Sequence, residues 1–432
     1  MLDAATKTKI MSEVDRRFDD QTKVLQDLVR IPSTRFQEAP AQDMMARLYK
    51  EDGLGVDRWQ IKIDDLKHLP GYSPHSLDYD DAWNVVGAWR PSNPKGRSLI
   101  LNGHIDVVPE GPTEMWSRNP YDAYVKDGWM YGRGSGDMKA GLILNVFALR
   151  ALRALGYMPA ADVYQQSVVE EECTGNGALA CLVEGYTADA ALIPEPGGDV
   201  MTGQMGVMWL TIDVYGLPVH AAYAHTGVAA IAFANHLVDD LRELERAWNQ
   251  PAARHPLFCN HEHPINFNLG RISGGEWTSS VPTHCRVDLR LGFYPGVKPA
   301  QVREQVEARL KAAHAAHPNH ASVSYEVSYH GFQAEGLVVD MAQPVIAQLL
   351  QCHHDISGQD ATQRASTATS DVRFFHLYGN IPSTCYGPLG SDIHGIDEWV
   401  SISSMQQVTA VLALFIARWC GLNRRAAGPQ VG

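Results

Sequence analysis

Apolar positions along the chain fall into blocks of two alternating periods. Over 8–30, Ile10, Val14, Phe18, Val24, Leu25, Leu28 and Val29 recur at helical spacing, and the run stops at Ile31-Pro32. A second helix is predicted over 41–52, closed by Gly53. Residues 64–80 are rich in His, Pro, Ser and Asp and read as a loop. Short apolar runs at 84–89 and 97–102 read as strands. The aromatic cluster Trp116, Tyr121, Tyr124 and Trp129 reads as loop packing rather than a binding box. Helical spacing returns over 137–155 and ends at Gly156. A strand at 163–169 runs into Glu170-Glu171-Glu172, a helix covers 177–185, and a strand at 190–193 ends at Pro194-Glu195-Pro196. This alternation predicts an α/β layer with a mainly parallel sheet.

From about 206 the texture changes. Strands at 207–215, 267–272, 284–291 and 321–329 and helices at 227–248 and 298–317 follow the order β-α-β-β-α-β, with a polar loop at 249–263. That order matches an inserted α+β split-βαβ (ferredoxin-like) unit of ~120 residues. The α/β texture resumes with a helix near 338–353, a strand at 381–386 and a helix at 403–420. The expected organisation is therefore a discontinuous first domain, 1–205 plus 330–432, interrupted by a second at 206–329.

The length of 432 residues suits two domains, and 45% hydrophobic with 20% charged residues is a globular profile. A net charge of −13 argues against nucleic acid and anionic membranes as main partners. No apolar run reaches the ~20 residues needed to span a bilayer, and 1–20 lacks the apolar core of a signal peptide, so a cytoplasmic location is expected. The seven cysteines are scattered, odd in number and without a C-x-x-C pair, which reads as reduced, buried thiols.

Polar groups gather at strand ends, where α/β sheets place their chemistry. His104 and Asp106 are two apart and share one side of an extended chain. Glu170–Glu172 and Glu195 follow later strands, Asp137 starts a helix, and His394 follows another strand-like segment. This mixed nitrogen and oxygen set suits zinc, and secondarily manganese or cobalt. Each residue also has an ordinary role: a structural histidine, a helix cap at Asp137, a solvated acidic run, a turn at Glu195. The conjunction at one sheet edge favours a metal site. The glycine-rich GRGSGDMKAG lacks both the G-K-[ST] ending and the G-x-G-x-x-G spacing of nucleotide loops.

The chain resembles the M20 family of metallopeptidases and deacylases. The resemblance rests on NGHIDVVP (102–109), GRGSGDMKAG (132–141), VVEEECTGNG (168–177), PEPGG (194–198) and GSDIHGIDE (390–398), in the family's order, with weaker matches at 216–231 and 369–375. It implies a dinuclear site of two divalent ions per subunit, zinc before cobalt or manganese. His104 and Glu195 would hold one metal, Glu172 and His394 the other, with Asp137 bridging. Asp106 would orient His104 through its other ring nitrogen. Glu171 falls on the family's general base, which would activate a bridging water. Glu170 stands where the family commonly has Asp. The bond Asp137–Met138 would be a cis peptide.

The resemblance further implies a homodimer formed through the inserted lid domain. A histidine of the neighbouring subunit would stabilise the tetrahedral oxyanion, and His220 matches it, with His225 the competing candidate. Arg290 falls on a family arginine that binds substrate carboxylate, and an ion pair on a surface strand is its ordinary alternative. Thr369 and Arg373 are similarly placed for substrate contacts. Ser279 stands where the family often has Asn. The expected activity is cleavage of the amide of N-acyl amino acids or related small N-acyl compounds, closest to acetylornithine deacetylase- and desuccinylase-like deacylases. A dipeptidase or carboxypeptidase, and a formyl- or carbamoyl-amine hydrolase, are the alternatives.

Overall fold

A computed structural model describes residues 4–75 and 79–424. The fold is mixed α/β around a six-stranded central sheet. Its strands lie in the order Gly55–Gln60, Trp83–Trp89, Val163–Val168, Leu99–His104, Ala191–Ile193, Ser383–Cys385. The last four run parallel to one another, whereas Trp83–Trp89 is antiparallel to both of its neighbours. All four parallel strands are buried along their whole length, as strands of a sheet covered on both faces should be. The exposed edge strand Gly55–Gln60 (GVDRWQ) has no apolar alternation and escapes sequence reading.

The helix Ala140–Ala154 lies on this sheet and packs against Ala4–Val29 and Ile402–Trp419, with Pro344–Ser357 beyond. Ala140–Ala154 and Ile402–Trp419 are buried nearly all round, which marks interior helices. The tract read as a loop at 64–80 opens with a one-turn helix, Ile63–Leu66, and its residues 76–78 lie outside the described part. Of the aromatic cluster, Tyr124 and Trp129 lie in a small four-stranded sheet, Gly390–Ser391, Trp399–Ser401, Trp129–Tyr131, Tyr124–Lys126, and Trp116 and Tyr121 lie outside its strands. Within the sheet Trp129 meets Trp399 at 4.1 Å and Tyr124 stacks on Tyr131 at 4.9 Å.

A second sheet has the order Phe267–Gly274, His284–Phe293, Gly206–Tyr215, Ser324–Ser328, antiparallel throughout. Helices Ala230–Trp248 and Pro299–Ala316 pack on each other, and the first also packs on the sheet, enclosing a separate apolar core. Between the two layers lies a three-stranded sheet, Leu337–Val338, Val200–Gln204, Gln363–Ser366. Most cysteines are buried and all are free, but Cys259 is exposed and Cys173 half-buried.

Candidate active site

The four parallel strands deliver their next residues to one edge. Leu99–His104 ends in His104; Val163–Val168 leads to Glu170–Glu172; Ala191–Ile193 leads to Glu195; and the segment after Ser383–Cys385 carries His394. Asp137 reaches the same edge from the turn Ser135–Lys139, just before the long helix, and the Asp137–Met138 peptide is cis. Gly141 lets that helix approach the Glu195 turn, because a Cβ there would sit 2.5 Å from the Pro194 carbonyl oxygen.

His104 is 1% exposed. Its Nδ1 lies 2.9 Å from the main-chain oxygen of Asp106. A carbonyl oxygen only accepts, so Nδ1 carries a proton, and in the neutral ring Nε2 keeps its lone pair. Yet Nε2 faces Asp137 Oδ1 at 3.1 Å, Glu195 Oε1 at 3.6 Å and Glu171 Oε2 at 3.9 Å. A lone pair turned toward three carboxylates is repulsive unless positive charge intervenes. On the far side of Asp137, Oδ2 lies 3.5 Å from His394 Nε2, which is 3.0 Å from Glu172 Oε2. Asp137 thus turns one oxygen to each histidine.

The titration behaviour carries the same demand for positive charge. Burial opposes a charged His104, but Glu195 and Asp137 hold its proton affinity well above the usual range. Burial likewise opposes charge on His394, and the carboxylates of Glu172 and Asp137 overcome it, raising it to about 11. Burial pushes Glu195 up to about 7 and Glu171 well above the carboxylate range. Ligand atoms of His104, Glu171 and Glu195 lie within 4.8 Å of one another, as do those of His104, Asp137 and Glu172. Two imidazoles and clustered carboxylates around this shortage of cation are a fitting donor set for divalent metal.

Supporting contacts hold these groups. Asp106 differs from expectation: its carbonyl, not its carboxylate, takes the His104 Nδ1 proton, and Oδ1 stays 3.7 Å away. The carboxylate instead accepts the backbone N–H groups of Glu171 (3.4 Å) and Glu172 (3.1 Å), tying the acidic loop to the His104 strand. Glu170 binds Arg35 through both oxygens and accepts from the Tyr79 hydroxyl at 2.9 Å. Glu398 accepts the N–H groups of Gly134, Gly136 and Asp137 at 2.9–3.0 Å and pairs with Arg133 at 2.6 Å. Sequence reading passed over Arg35 and Glu398, although Glu398 closes the GSDIHGIDE motif. Asp371 was missed too: both of its oxygens are buried without a hydrogen-bond partner, and burial raises it to about 6 against the pull of Arg373.

The acidic edge opens into a cavity of about 270 Å³, walled on its other sides by Met201, Arg364, Thr369, Ser370, Cys385 and Ile393. Thr369 therefore lies where a substrate contact is expected. Arg373 does not: it is 1% exposed behind the wall, donating to Thr369 Oγ1, Ser370 O and Thr174 O. Three of its five N–H donors are engaged in this way. Arg290 sits on the second sheet and donates to Thr367 O at 3.3 Å. His220 and His225 are exposed on the second layer, outside this cavity. The Nδ1 of His220 accepts the Ala222 N–H at 3.0 Å.

The profile of peptidase family M20/M25/M40 matches residues 100–418. The chain belongs to that family. It is accordingly a metal-dependent hydrolase acting on amides. Among its relatives is the N-formyl-4-amino-5-aminomethyl-2-methylpyrimidine deformylase of Halalkalibacterium halodurans, 28% identical over 96% of this chain and 98% of the relative. Another is the succinyl-diaminopimelate desuccinylase of Paracoccus denitrificans, 26% identical over 83% of this chain and 92% of the relative. The fold is shared with the di-peptidase Dug1p of Saccharomyces cerevisiae, at a TM-score of 0.77 and 14% identity over 96% and 98% of the two chains. Human carnosine dipeptidase 1 shares it at 0.75 and 16%, over 96% and 99%. No helix among the described residues is long and apolar enough to cross a membrane.

Proposed function

We propose that this chain is a deacylase that cleaves the amide of N-acyl amino acids or related small N-acyl compounds at a dinuclear metal site. The observation that carries the reading is Asp137, one oxygen toward His104 and the other toward His394. His104 and Glu195 would hold one ion, Glu172 and His394 the other, and Asp137 both, with zinc the first choice and cobalt or manganese next. Two such ions supply Lewis acidity toward a carbonyl and a water. Glu171 accepts the proton of the attacking water at Oε1, which is buried and has no hydrogen-bond partner, and returns it to the leaving amine.

The residues 206–329 are read as a ferredoxin-like lid and dimerisation domain inserted into a catalytic domain of 1–205 and 330–432. The edge strand Phe267–Gly274 is largely exposed, and Ile272, Tyr223 and Trp277 stand out of this layer at 50%, 63% and 74% exposure. An open edge with apolar neighbours is suited to pairing with a second copy. In that dimer His220 of one copy would serve the other's site. With Nδ1 accepting, its proton sits on Nε2, the arrangement an oxyanion donor needs.

The resemblance to the deformylase over nearly the whole chain favours N-formyl amines as the second reading. A hydrolysis screen of N-formyl, N-acetyl, N-succinyl and N-carbamoyl amino acids, simple N-formyl amines and dipeptides, with Zn²⁺, Co²⁺ and Mn²⁺ compared, tests both. Cleavage of N-acyl amino acids, abolished by chelator, is expected; cleavage of dipeptides alone would overturn the deacylase reading.

A further inference from the structure

The wall of the acidic cavity contains a single Lys or Arg side chain, Arg364. It stands on the short strand Gln363–Ser366, parallel to Val200–Gln204. Asp199, the residue before that partner strand, holds Arg364 Nε at 2.7 Å and is itself 16% exposed, whereas Arg364 is 62% exposed. A guanidinium has five N–H donors in one plane. Asp199 takes Nε, leaving the terminal nitrogens for another acceptor. Nη2 lies beside Gly197, two residues past Glu195, so the fork flanks the turn that carries a candidate metal ligand. The two arginines expected from sequence to meet substrate are engaged elsewhere: Arg373 in three hydrogen bonds inside the wall, Arg290 with the Thr367 carbonyl.

Resting on the deacylase reading above, we propose that Arg364, positioned by Asp199, selects substrates that carry a carboxylate close to the scissile amide. A planar fork held from behind is pre-organised for two parallel hydrogen bonds to a carboxylate. A neutral N-acyl amine offers it no partner. The carboxylate can belong to the amine part, as in an N-acetyl amino acid, or to the acyl part, as in an N-succinyl amine.

The test uses the metal-loaded full chain and three substrates: an N-acetyl amino acid, an N-succinyl amine and the neutral N-acetyl amine. Arg364→Ala is expected to lower kcat/KM about 50-fold on whichever carboxylate substrate engages the fork, mainly through KM, and less than about 3-fold on the neutral one. Arg364→Lys should recover only part of the loss, and Asp199→Asn should show a smaller loss of the same selectivity. Equal losses on all three substrates, or none, overturn the proposal. Calorimetric binding of the same compounds to Glu171→Gln protein, with and without Arg364→Ala, separates the two claims. Arg364-dependent binding without turnover in the parent protein supports carboxylate recognition and defeats the deacylase reading. Turnover with Arg364-independent binding does the reverse.

Discussion

His104 and His220 hold their protons on opposite nitrogens. At the sheet edge, Nδ1 of His104 donates to the Asp106 carbonyl, which turns Nε2 into a nest of carboxylates. On the second layer, Nδ1 of His220 accepts from Ala222, which leaves an N–H on Nε2 pointing away from its own backbone contact. The first arrangement suits a cation ligand; the second suits an anion donor. Their surroundings differ in the same sense. The sheet edge is completed by its own chain, through Asp106, Arg35 and Glu398. The second layer leaves His220 exposed beside an open strand and protruding Trp277 and Tyr223. On our reading, one region is a site finished by its own chain and the other is a surface that a second copy finishes.

The largest effect is expected at Glu171. Glu171→Gln should retain metal and lose about 10⁴-fold in kcat, the upper range for a proton-transfer group. Near-normal turnover would remove Glu171 as the base, and loss of metal would make it a ligand. Next comes His220→Ala, which should cost about 10²–10³-fold in kcat with an unchanged melting temperature. Mixing it with Glu171→Gln protein should restore turnover, because a mixed dimer contains one site with both groups. Failure to complement would place His220 in its own chain's site or in none.

Glu398→Ala should act on stability. It strands Arg133 and three backbone N–H groups, and a cost of about 3–5 kcal/mol in denaturant titration is expected for an uncompensated buried charge. A cost within 1 kcal/mol would show that the turn around Asp137 holds without Glu398. The smallest effect is expected at the rim of the second layer. Trp277→Ala should weaken self-association by about 2 kcal/mol, seen as a concentration-dependent shift to monomer in sedimentation. An unchanged sedimentation profile would take Trp277 out of any interface.

The strands that deliver His104, Glu171, Glu172, Glu195 and His394 were legible because each is a short segment with apolar or β-branched residues, followed by acidic, Pro or Gly residues. Periodicity likewise revealed the long helices. Three kinds of feature stayed hidden. The strand Gly55–Gln60 is exposed and polar, so no alternation marks it. The two-residue strands Leu337–Val338 and Gly390–Ser391 are too short to have a period. The third kind is pairing across long sequence separations. Glu398 with the Gly134–Asp137 turn, Arg364 with Asp199 and Arg35 with Glu170 join residues that neither spacing nor composition associates. The same limit explains Asp106, where sequence shows a carboxylate two residues from a histidine but not which of its oxygens the ring meets. Arg373 is the converse case: a cation beside the cavity in sequence terms, folded into its wall.

The most direct test is the metal content of chelator-free protein, measured by plasma mass spectrometry on the parent chain and on Asp137→Ala. Close to two divalent ions per chain are expected in the parent and fewer than one in the variant, since both histidines face that one carboxylate. A parent chain without bound metal, or a variant that keeps its full complement, would contradict the site.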